Sequence, residues 1–215
     1  MIKDIFLKKG FFKFFCDKNK SFFDKLNDIE VKKNILSSSY TSLDRYSILH
    51  YYLIDKDYFK SDIKILDLGC YIGLYIHFLN YIGIKEIYGL DYSEKSIIFG
   101  KKLGIRNLYF GDIKDILSIF SIKFDVISCL HVFEYSFIKK NGKEFIYDTL
   151  SKSFALLKDG GIIFFSIGDG YQKWDKVLNK YIHIDGKVDI NIQKILDIGF
   201  INYEKIGRAY YVFKK

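Results

Sequence analysis

The chain has 215 residues, 49% hydrophobic and 28% charged, which is enough to bury a core in a single domain and too apolar for wholesale disorder. The net charge of +8 would suit an anionic partner, but the lysines are scattered singly and in pairs, the pattern of a solvated face. Cys16, Cys70 and Cys129 lack CxxC or Cys/His ligand spacing, and no apolar run reaches the roughly 18 residues of a membrane span, so a reduced, cytoplasmic protein without disulfide framework or metal site is expected.

Proline is absent, where about ten would be average, and alanine occurs only at Ala155 and Ala209. Lysine, isoleucine, phenylalanine and tyrosine take their place. That bias belongs to an AT-rich coding sequence and not to a function.

Residues 1–60 interleave Phe6, Phe11, Phe12, Phe14, Phe15, Phe22 and Phe23 with lysines, and Leu43, Tyr46, Leu49, His50 and Leu53 then recur at helical spacing. Two or three helices are expected there, the last capped from Ser37–Ser39 or Thr41–Ser42, packing as a lid on the domain that follows. His50 falls on the apolar face of its helix and reads as a core residue.

From Ile63 the pattern changes, and residues 61–215 read as one α/β domain. Ile63–Leu68, Glu86–Leu90, Asn107–Phe110, Phe124–Cys129 and Gly161–Ser166 are short apolar runs expected as buried strands. Ile72–Tyr81, Ser93–Leu103, Ile113–Phe120 and Lys143–Leu157 between them are expected as helices. That alternation implies right-handed crossovers and a parallel sheet with helices on both faces. An irregular stretch, Ile167 to Val188, follows the fifth strand. Asn191–Ile198 is then a helix stopped by Gly199. Ile201–Ile206 and Ala209–Lys214, separated only by Gly207–Arg208, allow nothing but an antiparallel hairpin.

The first strand runs into Asp67-Leu68-Gly69-Cys70-Tyr71-Ile72-Gly73, where a helix starts. Glycines at such a turn let the backbone bend tightly and approach a ligand. Asp67 precedes the first glycine, a place where a negative charge suits a ligand bearing an ammonium group. Asp91 closes the second strand, 18 residues after Gly73, from which an acid accepts hydrogen bonds from ribose hydroxyls. Asp112 ends the third strand beside Gly111. One such acid is ordinarily a helix cap; three at successive strand ends around a glycine loop are not explained by capping alone.

Together ILDLGCYIG, YGLDYSEKSI, YFGDIKDI, FDVISCLHVFEY and LLKDGGIIFFS resemble the class I S-adenosylmethionine-dependent methyltransferase family over about residues 60–215. The resemblance implies a Rossmann-like, seven-stranded, mostly parallel sheet with a C-terminal antiparallel hairpin, and S-adenosyl-L-methionine as cofactor. It implies that Asp67, Gly69, Cys70 and Gly73 form the cofactor loop, that Asp91 and Tyr92 serve the ribose, and that Asp112 and Ile113 hold the adenine. Leu130 and His131 would line the methionine portion. Independently of the resemblance, Tyr40 and Arg45 are candidates to close over its carboxylate from the N-terminal segment, Arg45 by a charge-assisted pair, the alternative being a surface ion pair of Arg45 with Asp44 or a neighbour. The chain departs from the family pattern at Tyr71, where a middle glycine is common.

Methyl transfer from a sulfonium is an in-line displacement, and an oxygen nucleophile also needs a base within reach. His131 and Glu134 in HVFEY, and His183 in the stretch after strand five, are the candidates. A small polar acceptor methylated on oxygen or nitrogen, a sugar or biosynthetic intermediate, is the first expectation. The alternatives are RNA ribose or protein methylation, supported by the +8 charge, and a noncatalytic S-adenosyl-binding subunit. In this superfamily, nucleobase chemistry typically uses proline-containing motifs, which a chain without proline lacks. The oligomeric state is not legible.

Overall fold

The computed structural model describes residues 46–60, 62–133, 142–167, 170–175, 180–185 and 190–215, the strands within 170–185 by backbone alone. In chain order the elements are α1 (Ser47–Asp55), β1 (Lys64–Leu68), α2 (Leu74–Tyr81), β2 (Glu86–Asp91), α3 (Glu94–Lys102), β3 (Leu108–Phe110) and α4 (Ile116–Ile119). There follow β4 (Phe124–Cys129), α5 (Gly142–Leu156), β5 (Leu157–Ser166), β6 (Gly170–Asp175), β7 (Lys180–Asp185), α6 (Ile192–Leu196), β8 (Asn202–Ile206) and β9 (Tyr210–Lys214). The seven-stranded sheet runs β3-β2-β1-β4-β5-β9-β8, mostly parallel, with the C-terminal pair antiparallel as the short Gly207–Arg208 connection requires.

Two compact units are distinguished: the described residues up to Ile63 with Cys70–Gly111, and Lys64–Gly69 with Asp112–Lys215. In the first, β2 and β3 pair in parallel, Asp91 opposite Phe110. Helix α3 begins where Ser93 Oγ accepts the Ser96 N–H, a side-chain cap on an amphipathic segment with Glu94 in its first turn and Lys101 and Lys102 in its last. Helix α1 buries Leu49, His50, Leu53 and Ile54, the positions its periodicity marks. The serines and threonine expected to cap it lie outside the described residues.

His50 carries the chemistry of this first core. It is 2% exposed, its Nδ1 lies 3.4 Å from the Tyr75 hydroxyl, and the rings of Phe59 and Phe78 stand 5.1 Å from its own. Tyr46 stacks on Tyr75 at 4.3 Å. Burial lowers the His50 pKa from 6.5 to about 3, because an imidazolium there would lose its hydration. Between those two values the unfolded chain binds a proton that the fold does not. The stabilisation is therefore fully present above pH 6.5 and is lost as pH falls, by about 2–3 kcal/mol at pH 4.5. Thermal unfolding of the wild type is expected to drop roughly 5–10 °C further than that of His50→Leu between pH 7 and pH 4.5. Equal drops in the two proteins would show that His50 is not the acid-sensitive group.

In the second unit, β1 and β4 pair in parallel and β4 and β5 continue the sheet, with Ile163 and Phe165 opposite Ile127 and Cys129. The register shifts between Phe124 and Val126, so that Lys158–Gly161 bulges out of the ladder and the Lys158 ammonium reaches Asp125 at 2.7 Å. Phe165 stacks on Tyr211 and Phe213 at 5.5 and 5.8 Å and meets Phe133 edge-on at 5.5 Å. The high aromatic content thus holds the reversed strand β9 against β5.

Two expectations are corrected. The stretch Ile167 to Val188, read as irregular, contains β6 and β7, a separate antiparallel pair with Trp174 opposite Tyr181 and Tyr171 opposite Ile184. Its aromatic and β-branched residues favour strand, and a local hairpin needs no place in the alternation that marks the main sheet. The helix expected over Ile113–Phe120 is a 3-10 turn, Ile113–Asp115, followed by only the four residues of α4. No helix among the described residues is long and apolar enough to cross a membrane.

Candidate functional site

The loop between β1 and α2 is built from left-handed residues at every second position: Gly69 (φ 76°), Tyr71 (φ 56°) and Gly73 (φ 80°). Gly73 closes a tight turn by donating its N–H to Cys70 O at 2.9 Å and serves as N-cap of α2. A side chain there would also strike Leu108 and Ile105. Tyr71 adopts a left-handed conformation that glycine takes freely, although a Cβ makes it costly, about 1–2 kcal/mol. Its N–H donates to Asp91 Oδ2 at 2.8 Å, and this bond holds the strained turn. The departure from the glycine pattern therefore leaves the loop's backbone in a glycine-like conformation.

Asp91 is 6% exposed and accepts through both oxygens, the second bond coming from the Ser93 N–H to Oδ1 at 2.8 Å. The carboxylate at the end of β2 is thereby fixed between the loop and the start of α3. Tyr92, next to it, is 82% exposed. Cys70 is buried, donates its N–H to Leu90 O, and packs its thiol over Gly89, so the loop meets β2 through it.

Asp112 caps the 3-10 turn, its Oδ1 accepting the Lys114 N–H at 2.9 Å, and Ile113 is buried beside it. The cap accounts for the residue locally.

At the end of β1, Asp67 is almost wholly buried at 1% exposure and stands directly opposite Ser128 of β4, whose hydroxyl donates to Asp67 Oδ1 at 2.7 Å. Just beyond β4, Leu130 is buried and His131 turns left-handed, φ 58°. The His131 N–H donates to the buried Ser166 hydroxyl at 2.8 Å. Val132 then fills the space that a side chain at Gly69 would need. The first glycine of the loop is thus required by its own conformation and by the turn after β4.

Ser128 and Ser166 were not singled out from the sequence. Their signal is there: each is a lone hydroxyl in the buried apolar end of a strand, VISC and IIFFS, where a polar group needs a partner. Tyr40, Arg45 and Glu134 lie outside the described residues. His183 is on β7, opposite Gln172, with its side chain outside the described set. Among the expected residues, Cys70, Gly73, Asp91 and Tyr92 are gathered in the first unit, and Asp67, Gly69, Asp112, Ile113, Leu130 and His131 in the second.

A family model described as a methyltransferase domain matches residues 44–192. A comparison with curated proteins finds no match. Among solved structures, an S-adenosylmethionine-dependent methyltransferase from Archaeoglobus fulgidus is similar with a TM-score of 0.58 at 19% identity, over 88% of this chain and 100% of that one. One from Clostridium acetobutylicum gives 0.55 at 13% identity over 91% and 98%. PKMT2 from Rickettsia typhi, solved in complex with AdoHcy, is 31% identical over 49% of this chain, with a TM-score of 0.42, and this match spans 21% of that protein. The first two likenesses establish the fold, and the family match covers well over half of the sequence. The chain belongs to the methyltransferase domain family, and its fold is that of S-adenosylmethionine-dependent methyltransferases of known structure.

Proposed function

We propose that the protein methylates an oxygen or nitrogen of a small polar acceptor, such as a sugar or biosynthetic intermediate. The cofactor supplies an electrophilic methyl group on a sulfonium. In this reading Asp67 and the glycine loop hold its methionine end, Asp91 and Tyr92 its ribose, and Asp112 and Ile113 its adenine. The observation that carries the acceptor side is the His131 backbone, held left-handed at the end of β4 by Ser166. Strain of that kind persists where the surrounding structure over-determines it, and it is concentrated at working sites. His131 is then the base that takes the acceptor's proton, with Glu134 and His183 as further candidates. Residues 1–60, including Tyr40 and Arg45, serve as the covering segment. The absence of proline removes the motifs expected for nucleobase amino or C5 chemistry, which favours a small acceptor over nucleic acid.

Incubation with methyl-labelled S-adenosylmethionine and separated small-molecule, RNA and protein fractions of the source cells tests this. Label is expected in the small-molecule fraction. Label in RNA or protein would overturn the acceptor class, and no transfer to any fraction would favour a noncatalytic S-adenosyl-binding subunit.

A further inference from the structure

We propose that Ser128 is a positioning residue for the methionine end of the cofactor, acting through the carboxylate of Asp67. The inference rests on the reading that Asp67 faces the cofactor's ammonium group. It adds a residue that neither the glycine loop nor the strand-end acids include.

Strand β4 is buried along nearly its whole length, and Ser128 itself is 0% exposed. A strand in that environment is expected to be an unbroken apolar run, and an unbonded hydroxyl there would be costly. Its partner is specific. The parallel register sets Ser128 directly opposite Asp67, the hydroxyl donates to Oδ1 at 2.7 Å, and a second acceptor, Leu66 O, is more distant at 3.5 Å. The bond has the ordinary O–H···O length, and it joins two neighbouring strands of the sheet interior.

A carboxylate has two χ angles and rotates freely unless something holds it. The Ser128 bond to Oδ1 favours one facing of the Asp67 carboxylate before any ligand arrives, so part of the orientation cost is met during folding and not at binding. The effect is confined to the group that Asp67 contacts. Loss of the hydroxyl should therefore weaken ligands that carry the amino-acid end and spare ligands that lack it.

Calorimetric titration with S-adenosylhomocysteine and with 5′-methylthioadenosine, which lacks that end, separates the cases. Ser128→Ala is expected to lose about tenfold in affinity for S-adenosylhomocysteine and to keep that for methylthioadenosine within about twofold. Ser128→Cys, of similar size with a weaker donor, should fall in between and serves if the alanine variant does not fold. Equal losses for both ligands would make Ser128 a purely structural residue, and unchanged affinity for both would remove its role; either outcome overturns the proposal. Asp67→Asn is read in parallel. If it leaves the ratio of the two affinities unchanged, the reading of Asp67 itself has failed. If it lowers that ratio while the serine variants do not, Asp67 stands and Ser128 falls.

Discussion

Replacing Asp91 by asparagine is expected to weaken S-adenosylhomocysteine binding nearly as much as replacing it by alanine, by roughly a hundredfold. The usual assumption is that an isosteric amide preserves most of a carboxylate's hydrogen bonding. Here it cannot, because both oxygens accept from backbone N–H groups, Tyr71 on Oδ2 and Ser93 on Oδ1. An amide offers one oxygen and one NH₂, so whichever way it turns, a donor faces a donor. Putting the NH₂ toward Tyr71 releases the bond that holds a left-handed tyrosine, and the loop loses its shape. Turning it toward Ser93 disturbs the start of α3. Each bond to the charged group contributes about 1.5–3 kcal/mol, so losing one of them together with the acceptor proposed for the ribose accounts for the hundredfold effect. Titration of both variants with S-adenosylhomocysteine checks this. An asparagine variant that binds within a fewfold of wild type would mean that neither the Tyr71 turn nor the carboxylate's charge matters to the cofactor.

Much of the candidate site's backbone framework is legible because its parts are local. The apolar runs ending in Asp67, Asp91 and Asp112 are short, and in a parallel sheet the residues after each strand lie at the ligand-binding end. The glycines at 69 and 73 mark left-handed turns that other residues rarely take. Tyr71 was not legible in this way. Its sequence context suggests a broken motif, while its conformation is set by a bond to a residue twenty positions away. Ser128 and Ser166 were missed for the same reason: a hydroxyl in an apolar strand announces that it has a partner, but only the register says which. For Ser128 that partner is Asp67, and for Ser166 it is the backbone of His131. The β6–β7 hairpin is not legible in this way because it stands outside the alternation of strands with helices that marks the main sheet.

The turn after β4 allows a test that separates chemistry from backbone geometry at His131. If its imidazole takes the acceptor's proton, His131→Ala should lower turnover by about 10²–10⁴-fold on the acceptor found by label transfer, with S-adenosylhomocysteine affinity nearly unchanged. Alanine alone is ambiguous, because it keeps the left-handed strain while removing the side chain. His131→Gly resolves this. Glycine takes φ 58° without cost and keeps the N–H that donates to Ser166, so the turn should survive intact. If the ring is the base, glycine is as inactive as alanine. If His131 serves only to shape the turn that packs Val132 over Gly69, glycine restores activity and alanine does not. A glycine variant with near-normal turnover would therefore move the search for a base to Glu134 and His183.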